Sequence, residues 1–150
     1  MVTINKILAP TDCSEPSSDA LSYATEISKS FKANLIVLKV FLSPVEAIKM
    51  RDYNLLKNRQ VQIREVEKFW NQFSESALKP EFVSLIGDPF NEIIRYSNEH
   101  SIDMIIMGTH GYTGFKHIFM GSVAEKVVRY SLIPVLTVKQ KSFEYSQANK

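Results

Sequence analysis

A chain of 150 residues, 45% of them hydrophobic, is the size of one domain and carries enough apolar mass for one core. Its 18 basic and 16 acidic residues leave a formal charge of +2 and are spread along the chain, so no electrostatic footprint for nucleic acid stands out. The lone Cys13 excludes an internal disulfide, no apolar run approaches the ~20 residues that span a bilayer, and the first residues lack the long apolar stretch of an export signal. A cytoplasmic protein that meets neither membrane nor nucleic acid is expected.

In chain order, residues 6–10 read as a buried strand, and Ser14 with Pro16 soon after marks a helix start. The stripe Ala20, Leu21, Ala24, Ile27 and Phe31 returns every three or four positions, which gathers it on one side of that helix. A second strand is expected at 34–41. The segment 43–58, with Pro44, Arg51, Asp52, Lys57 and Asn58, has a weaker stripe and is expected to be irregular or partly helical, a candidate flap. A second helix carries Val66, Phe69, Trp70, Phe73 and Ala77 and leads into a strand at 81–86. Asp88 followed by Pro89 sets a capping carboxylate before a residue whose fixed φ suits a first helical turn, and Phe90, Ile93, Ile94 and Ser97 continue that helix. Strand 103–108, a helix bearing Val123, Ala124, Val127 and Val128, and strand 133–138 complete the series. The polar tail 141–150 stands apart from a single domain over 1–140.

Strands that alternate with helices imply parallel pairing through right-handed crossovers. The predicted fold is therefore a three-layer, doubly wound α/β sandwich: a five-stranded parallel sheet, Rossmann-like, with helices on both faces. In such sheets ligands bind beyond the carboxyl ends of the strands, where the strand order reverses.

That places weight on the loop after the fourth strand, which holds four of the five glycines: Gly108, Gly111, Gly114 and Gly121. Glycine lets backbone approach a ligand closely, and Gly121 with Ser122 immediately precedes a helical stripe, whose free N–H groups attract anions. A phosphate cradle fits this chemistry, although glycine clusters also serve simply to shape long connections. The loop has no Gly-Lys-Ser/Thr triplet, and it is not a dinucleotide fingerprint, which would follow the first strand. His100, His110 and His117 do not fall at zinc-ligand spacing with Cys13, so no metal motif is visible.

The spacing Gly108, two residues, Gly111, nine residues, then Gly121 and Ser122 resembles the ATP-binding signature of the universal stress protein family. The opening from Lys6 through Pro10, Thr11, Asp12 and Cys13 to Ser14 is similar to that family's first strand and turn. The resemblance covers about 6–139. It implies an adenine nucleotide alpha hydrolase-like fold that binds ATP, with Mg²⁺ brought mainly by the phosphates. By the same resemblance Pro10, Thr11 and Asp12 face the nucleoside, the backbone at Val40 reads adenine, and Met107 and Gly108 flank the ribose. The backbone of His110, Gly111, Gly121, Ser122 and Val123 would then hold the phosphates. Read as residues alone, Asp12 is also a natural helix cap, Val40 a core valine and His110 a solvent-facing loop residue. The family further implies a homodimer formed through strand 133–138, with Phe115, Phe119 and Tyr130 packing at that contact or within their own core.

Function is expected to be nucleotide-responsive binding in a stress response, with no catalytic residue and at most slow hydrolysis, since no positioned base or nucleophile constellation can be named. The alternative is a dimeric interaction protein of the same fold that does not bind nucleotide. A phosphoacceptor receiver domain is disfavoured. It wants an acidic pair after strand one and an aspartate ending strand three, whereas this chain has only Asp12 and then Ile86, Gly87 and Asp88.

Overall fold

In the computed structural model, residues 1–43, 58–74, 76–110 and 120–139 are described. The elements are β1 (Lys6–Pro10), α1 (Glu15–Phe31), β2 (Asn34–Phe41), α2 (Arg59–Phe73), β3 (Glu81–Ile86), α3 (Pro89–Glu99), β4 (Met104–Gly108), α4 (Ser122–Tyr130) and β5 (Val135–Val138). The five strands form one sheet in the order β3-β2-β1-β4-β5, and every pair is parallel. The doubly wound α/β fold expected from the alternation is the fold observed.

The sheet is buried on both faces, which is why its strands read as continuous apolar runs rather than alternating ones. Ile7, Leu8 and Ala9 of central β1 are wholly inaccessible. Their side chains still alternate in direction. Ile7, Ala9, Leu35, Val37 and Ile106 meet α1 and α2 through Ala20, Leu21, Ala24, Val66 and Trp70. Leu8, Ile36, Leu38, Ile105 and Met107 meet α3 and α4 through Ile93, Tyr96, Ala124 and Val127. Each fully buried Ile or Leu contributes about 1.5–3 kcal/mol relative to exposure, so these two layers supply most of the favourable free energy of folding.

Several local expectations are corrected. β4 begins at Met104, which pairs with Ile7, rather than at Asp103, which precedes the ladder and braces its start: Asp103 N donates to Lys6 O at 3.0 Å, and its Oδ2 accepts from Asn5 N at 2.7 Å and Lys6 N at 2.9 Å. β5 begins at Val135, since Pro134 has no N–H to give to a ladder, although its carbonyl accepts from Ile105 N at 2.9 Å. Ala77 lies beyond the end of α2. Phe31 and Val128, expected in buried stripes, are 53% and 45% exposed.

Asp88 caps α3, its Oδ1 accepting from Asn91 N at 2.9 Å. Ser14 occupies the corresponding position at α1 without a side-chain cap, because its hydroxyl donates to Asp12 Oδ1 instead. Most of the candidate flap 43–58 lies outside the described residues; Asn58 itself caps α2, accepting from Gln60 N and Val61 N.

Candidate functional site

The order β3-β2-β1-β4-β5 means that the chain winds outward from β1 in one direction and then returns to its other side, so the connections leaving β1 and β4 diverge at their carboxyl ends. Between them lies a cavity of about 350 Å³, within the usual range for a small-molecule site. Four pieces of chain line it.

The first is the β1–α1 turn with Pro10, Thr11 and Asp12. Thr11 N donates to Leu38 O at 2.8 Å, extending the β1–β2 ladder by one residue. The Thr11 hydroxyl is turned to the protein: Oγ1 accepts from Cys13 N at 3.0 Å and shares a hydrogen bond with Ser17 Oγ at 2.8 Å. Asp12 forms an Asx turn, its Oδ1 accepting from Ser14 N at 3.0 Å as well as from the Ser14 hydroxyl. The acid therefore shapes the approach to α1 and lines the cavity as well.

The second piece is the end of β2, where Leu38, Val40 and Leu42 follow one another at the period of two that puts them on one side of the strand. The third is the start of α3, with Pro89 and Ile93. Together these make an apolar slot.

The fourth piece joins Met107, Gly108, Thr109 and His110 after β4 to Gly121, Ser122, Val123 and Ala124 at the start of α4. Gly121 N donates to Thr109 O at 2.6 Å, and Thr109 N donates to Val138 O at 3.0 Å, which stitches the helix start to the ends of β4 and β5. Close approach explains the glycines. A Cβ on Gly121 would stand 3.2 Å from Thr109 O, and one on Gly108 would stand 3.3 Å from His110 O and 3.6 Å from Pro16 O. As the N-cap of α4, Gly121 offers no side-chain acceptor. The N–H groups of Ser122, Val123 and Ala124 have no acceptor among the described residues, while Glu125 N is already bonded to Gly121 O at 2.9 Å. A helix start left this way suits an anion.

Charge in the site is sparse. Among the described lining residues only Asp12 and His110 are ionisable. The His110 ring is tied through Nδ1 to Thr109 Oγ1 at 2.9 Å. Cys13 adjoins the site in sequence only: its side chain packs against the core beneath α1 and α2, and burial pushes its thiol up to about 11. That leaves it protonated at neutral pH, without the character of a nucleophile.

Of the residues singled out from sequence, Pro10, Thr11, Asp12, Val40, Met107, Gly108, His110, Gly121, Ser122 and Val123 line this one cavity. Gly111, together with Phe115, His117 and Phe119, lies outside the described residues. Sequence reasoning missed Ser17, Leu38, Leu42, Pro89, Ile93, Thr109 and Ala124. Leu38 and Leu42 were within reach, since they flank Val40 at a spacing of two. Pro89 and Ile93 were not, because nothing in a helix's own pattern says that its first turn overhangs a neighbouring strand. Among the described residues no group of three or more His, Cys, Asp or Glu is placed to hold a metal ion, and no helix is long and apolar enough to cross a membrane.

Comparison with known proteins adds the lineage. A family model described as "Universal stress protein family" matches residues 3–139. Universal stress protein MJ0577 of Methanocaldococcus jannaschii is 32% identical, over 94% of this chain and 98% of its own. The structure solved for the assignment of the biochemical function of MJ0577 superimposes with a TM-score of 0.70 at 33% identity, covering 93% of this chain and 99% of that one. UspA from Lactobacillus plantarum gives a TM-score of 0.73 at 24% identity, with 93% and 100% covered. A universal stress protein in complex with cAMP gives 0.66 at 22%, with 93% and 99% covered.

Proposed function

Because the chain belongs to the universal stress protein family, we propose that it binds ATP in the cavity between β1 and β4 and acts as a nucleotide-responsive module of a stress response in the cytoplasm. The observation that carries this reading is the combination of an apolar slot with N–H groups of α4's first turn that find no acceptor among the described residues, in one cavity at the switch point of the sheet. Adenine and polyphosphate call for these two surfaces. In the proposed pose the base lies against Val40, with Pro10, Thr11 and Asp12 toward the nucleoside and Met107 and Gly108 flanking the ribose. The backbone of His110, Gly111, Gly121, Ser122 and Val123 takes the phosphates. Each exposed helix-terminal N–H contact contributes only about 0.3–1 kcal/mol, so the phosphates need several at once. The cAMP complex of a fold neighbour supports the idea that this architecture accommodates an adenine nucleotide.

Mg²⁺ would neutralise the phosphates. The described lining offers it a single carboxylate, Asp12, whose Oδ1 already holds the turn, so the ion would be held chiefly by the ligand. We further propose a homodimer through residues 133–138. Val128, Tyr130, Leu132 and Leu136 are 45%, 59%, 89% and 37% exposed around edge strand β5, an apolar surface that a second copy would cover.

Thermal unfolding with and without Mg-ATP tests the ligand. At a hundredfold excess over the dissociation constant, binding adds about 2.7 kcal/mol, a rise of roughly 5–10 °C for a domain of this size. Gly121→Val should remove the rise, because its side chain would crowd the Thr109 carbonyl at the mouth of the helix start. A ligand-free melting temperature close to that of the parent would show that the fold survives. No rise in the parent would favour a nucleotide-free interaction protein.

A further inference from the structure

Gly87 is the one glycine of the chain outside the segment that follows β4. Its backbone requires that identity, with φ of 155°. Space requires it as well: a Cβ there would stand 2.9 Å from Glu92 Cγ, and Glu92 is itself held by Arg95 at 2.6 Å. A side chain at Gly87 would therefore push on the first turn of α3.

That turn is fastened to β2. Gly87 N donates to Phe41 O at 2.8 Å, so the chain leaving β3 is tied to the end of β2 just before α3 begins. Asp88 then caps the helix, and Pro89 opens it with a φ already set. Four residues further on and on the same side of α3, Ile93 is 3% exposed and packs in the layer that holds Leu38.

The result is a slot with two walls. Leu38, Val40 and Leu42 form one along β2, and Pro89 and Ile93 form the other on α3. These side chains are all apolar, so they select what lies between them by the room they leave rather than by hydrogen bonds. The room is fixed, because the bond from Gly87 to Phe41 ties one wall to the other and close-packed side chains do not yield cheaply.

Resting on the nucleotide reading above, we propose that Pro89 and Ile93 are specificity-determining residues of the base subsite, and that Gly87 is the positioning residue that sets them against β2. The slot then accepts an unsubstituted adenine and refuses a ring carrying an added methyl group on the side that meets α3.

Calorimetric titration of the full chain with Mg-ATP, and with ATP methylated at C2, C8 or N6, tests this. The parent should bind at least one methylated analogue about tenfold more weakly than ATP, the lower end of what one methylene is worth in an apolar pocket. Ile93→Val takes one methylene from the wall and should recover most of that loss, a gain of affinity that damage to the fold would not produce. Pro89→Ala should act in the same direction. Gly87→Ala, which moves the wall as a unit, should weaken ATP and adenosine by a common factor, since the two carry the same base; unchanged binding of both would overturn the role of Gly87. Equal binding of ATP and all three analogues by the parent would overturn the proposal and leave ATP binding standing. So would Ile93→Val and Pro89→Ala variants that both keep the parent's discrimination. No binding of ATP by the parent would overturn both readings.

Discussion

Asp12 and Cys13 are neighbours in the β1–α1 turn, yet one lines the cavity and the other packs into the core on the far side of the sheet. The backbone makes this possible by placing Cys13 in the left-handed region, with φ of 61°, a conformation that costs a non-glycine residue about 1–2 kcal/mol. The Asx turn of Asp12 and the bond from Cys13 N to the Thr11 hydroxyl hold it there. A thiol raised from 9.0 to about 11 by burial is neutral across the physiological range. Its reaction with iodoacetamide in the folded protein should therefore keep accelerating up to about pH 11 rather than levelling off near pH 9. The sign for stability follows. Unfolding releases the thiol to its ordinary value, so its stabilising effect is complete below pH 9 and is lost as pH rises through about 11. Labelling that levels off near pH 9 would mean that the thiol is solvated. Ser84 presents a different residue-scale feature: its Oγ is buried without a partner among the described residues. Ser84→Ala should leave stability unchanged or raise it by up to about 1 kcal/mol in urea unfolding, since it removes a desolvated hydroxyl that bonds nothing.

At the scale of elements, the helix ends carry the clearest local chemistry. α1 closes on Lys32 in the left-handed conformation, with φ of 54° and its N–H directed to the carbonyls of Lys29 and Ser28. Glycine suits that position better, and Lys32→Gly should raise stability by about 1 kcal/mol, again read from urea unfolding. Asp88→Ala should cost α3 about 1 kcal/mol by freeing Asn91 N. Of these two caps only one was visible in the sequence. Asp88 with Pro89 announces itself, whereas a lysine at a helix end says nothing about positive φ. The same contrast runs through the site. Gly108 and Gly121 could be found because close backbone approach demands glycine. Thr109 could not, because two of its roles, donating to Val138 O and accepting from Gly121 N, are played by backbone that any residue but proline carries.

On the scale of the whole molecule, the parallel sheet was legible because burial on both faces writes strands as unbroken apolar runs, as in Ile7, Leu8 and Ala9. The edges were less so. Pro134 reads as part of an apolar run and yet cannot donate to a ladder. Phe31 and Val128 fit a helical stripe but sit at its margin, where 100° per residue carries a side chain off the buried face. Exposed apolar residues around β5 lie along the edge proposed above for a second copy. In sedimentation velocity the protein should travel as a dimer, and Leu136→Lys should shift it to monomer; a parent that sediments as a monomer at micromolar concentration would contradict that surface's assignment.

The binding of ATP itself is the central claim, and equilibrium dialysis against radiolabelled Mg-ATP addresses it without depending on any change in stability. Saturation near one ATP per chain, competed by adenine nucleotides and absent in Gly121→Val, is the expected result. Failure of the parent to retain ATP at millimolar concentration would contradict it.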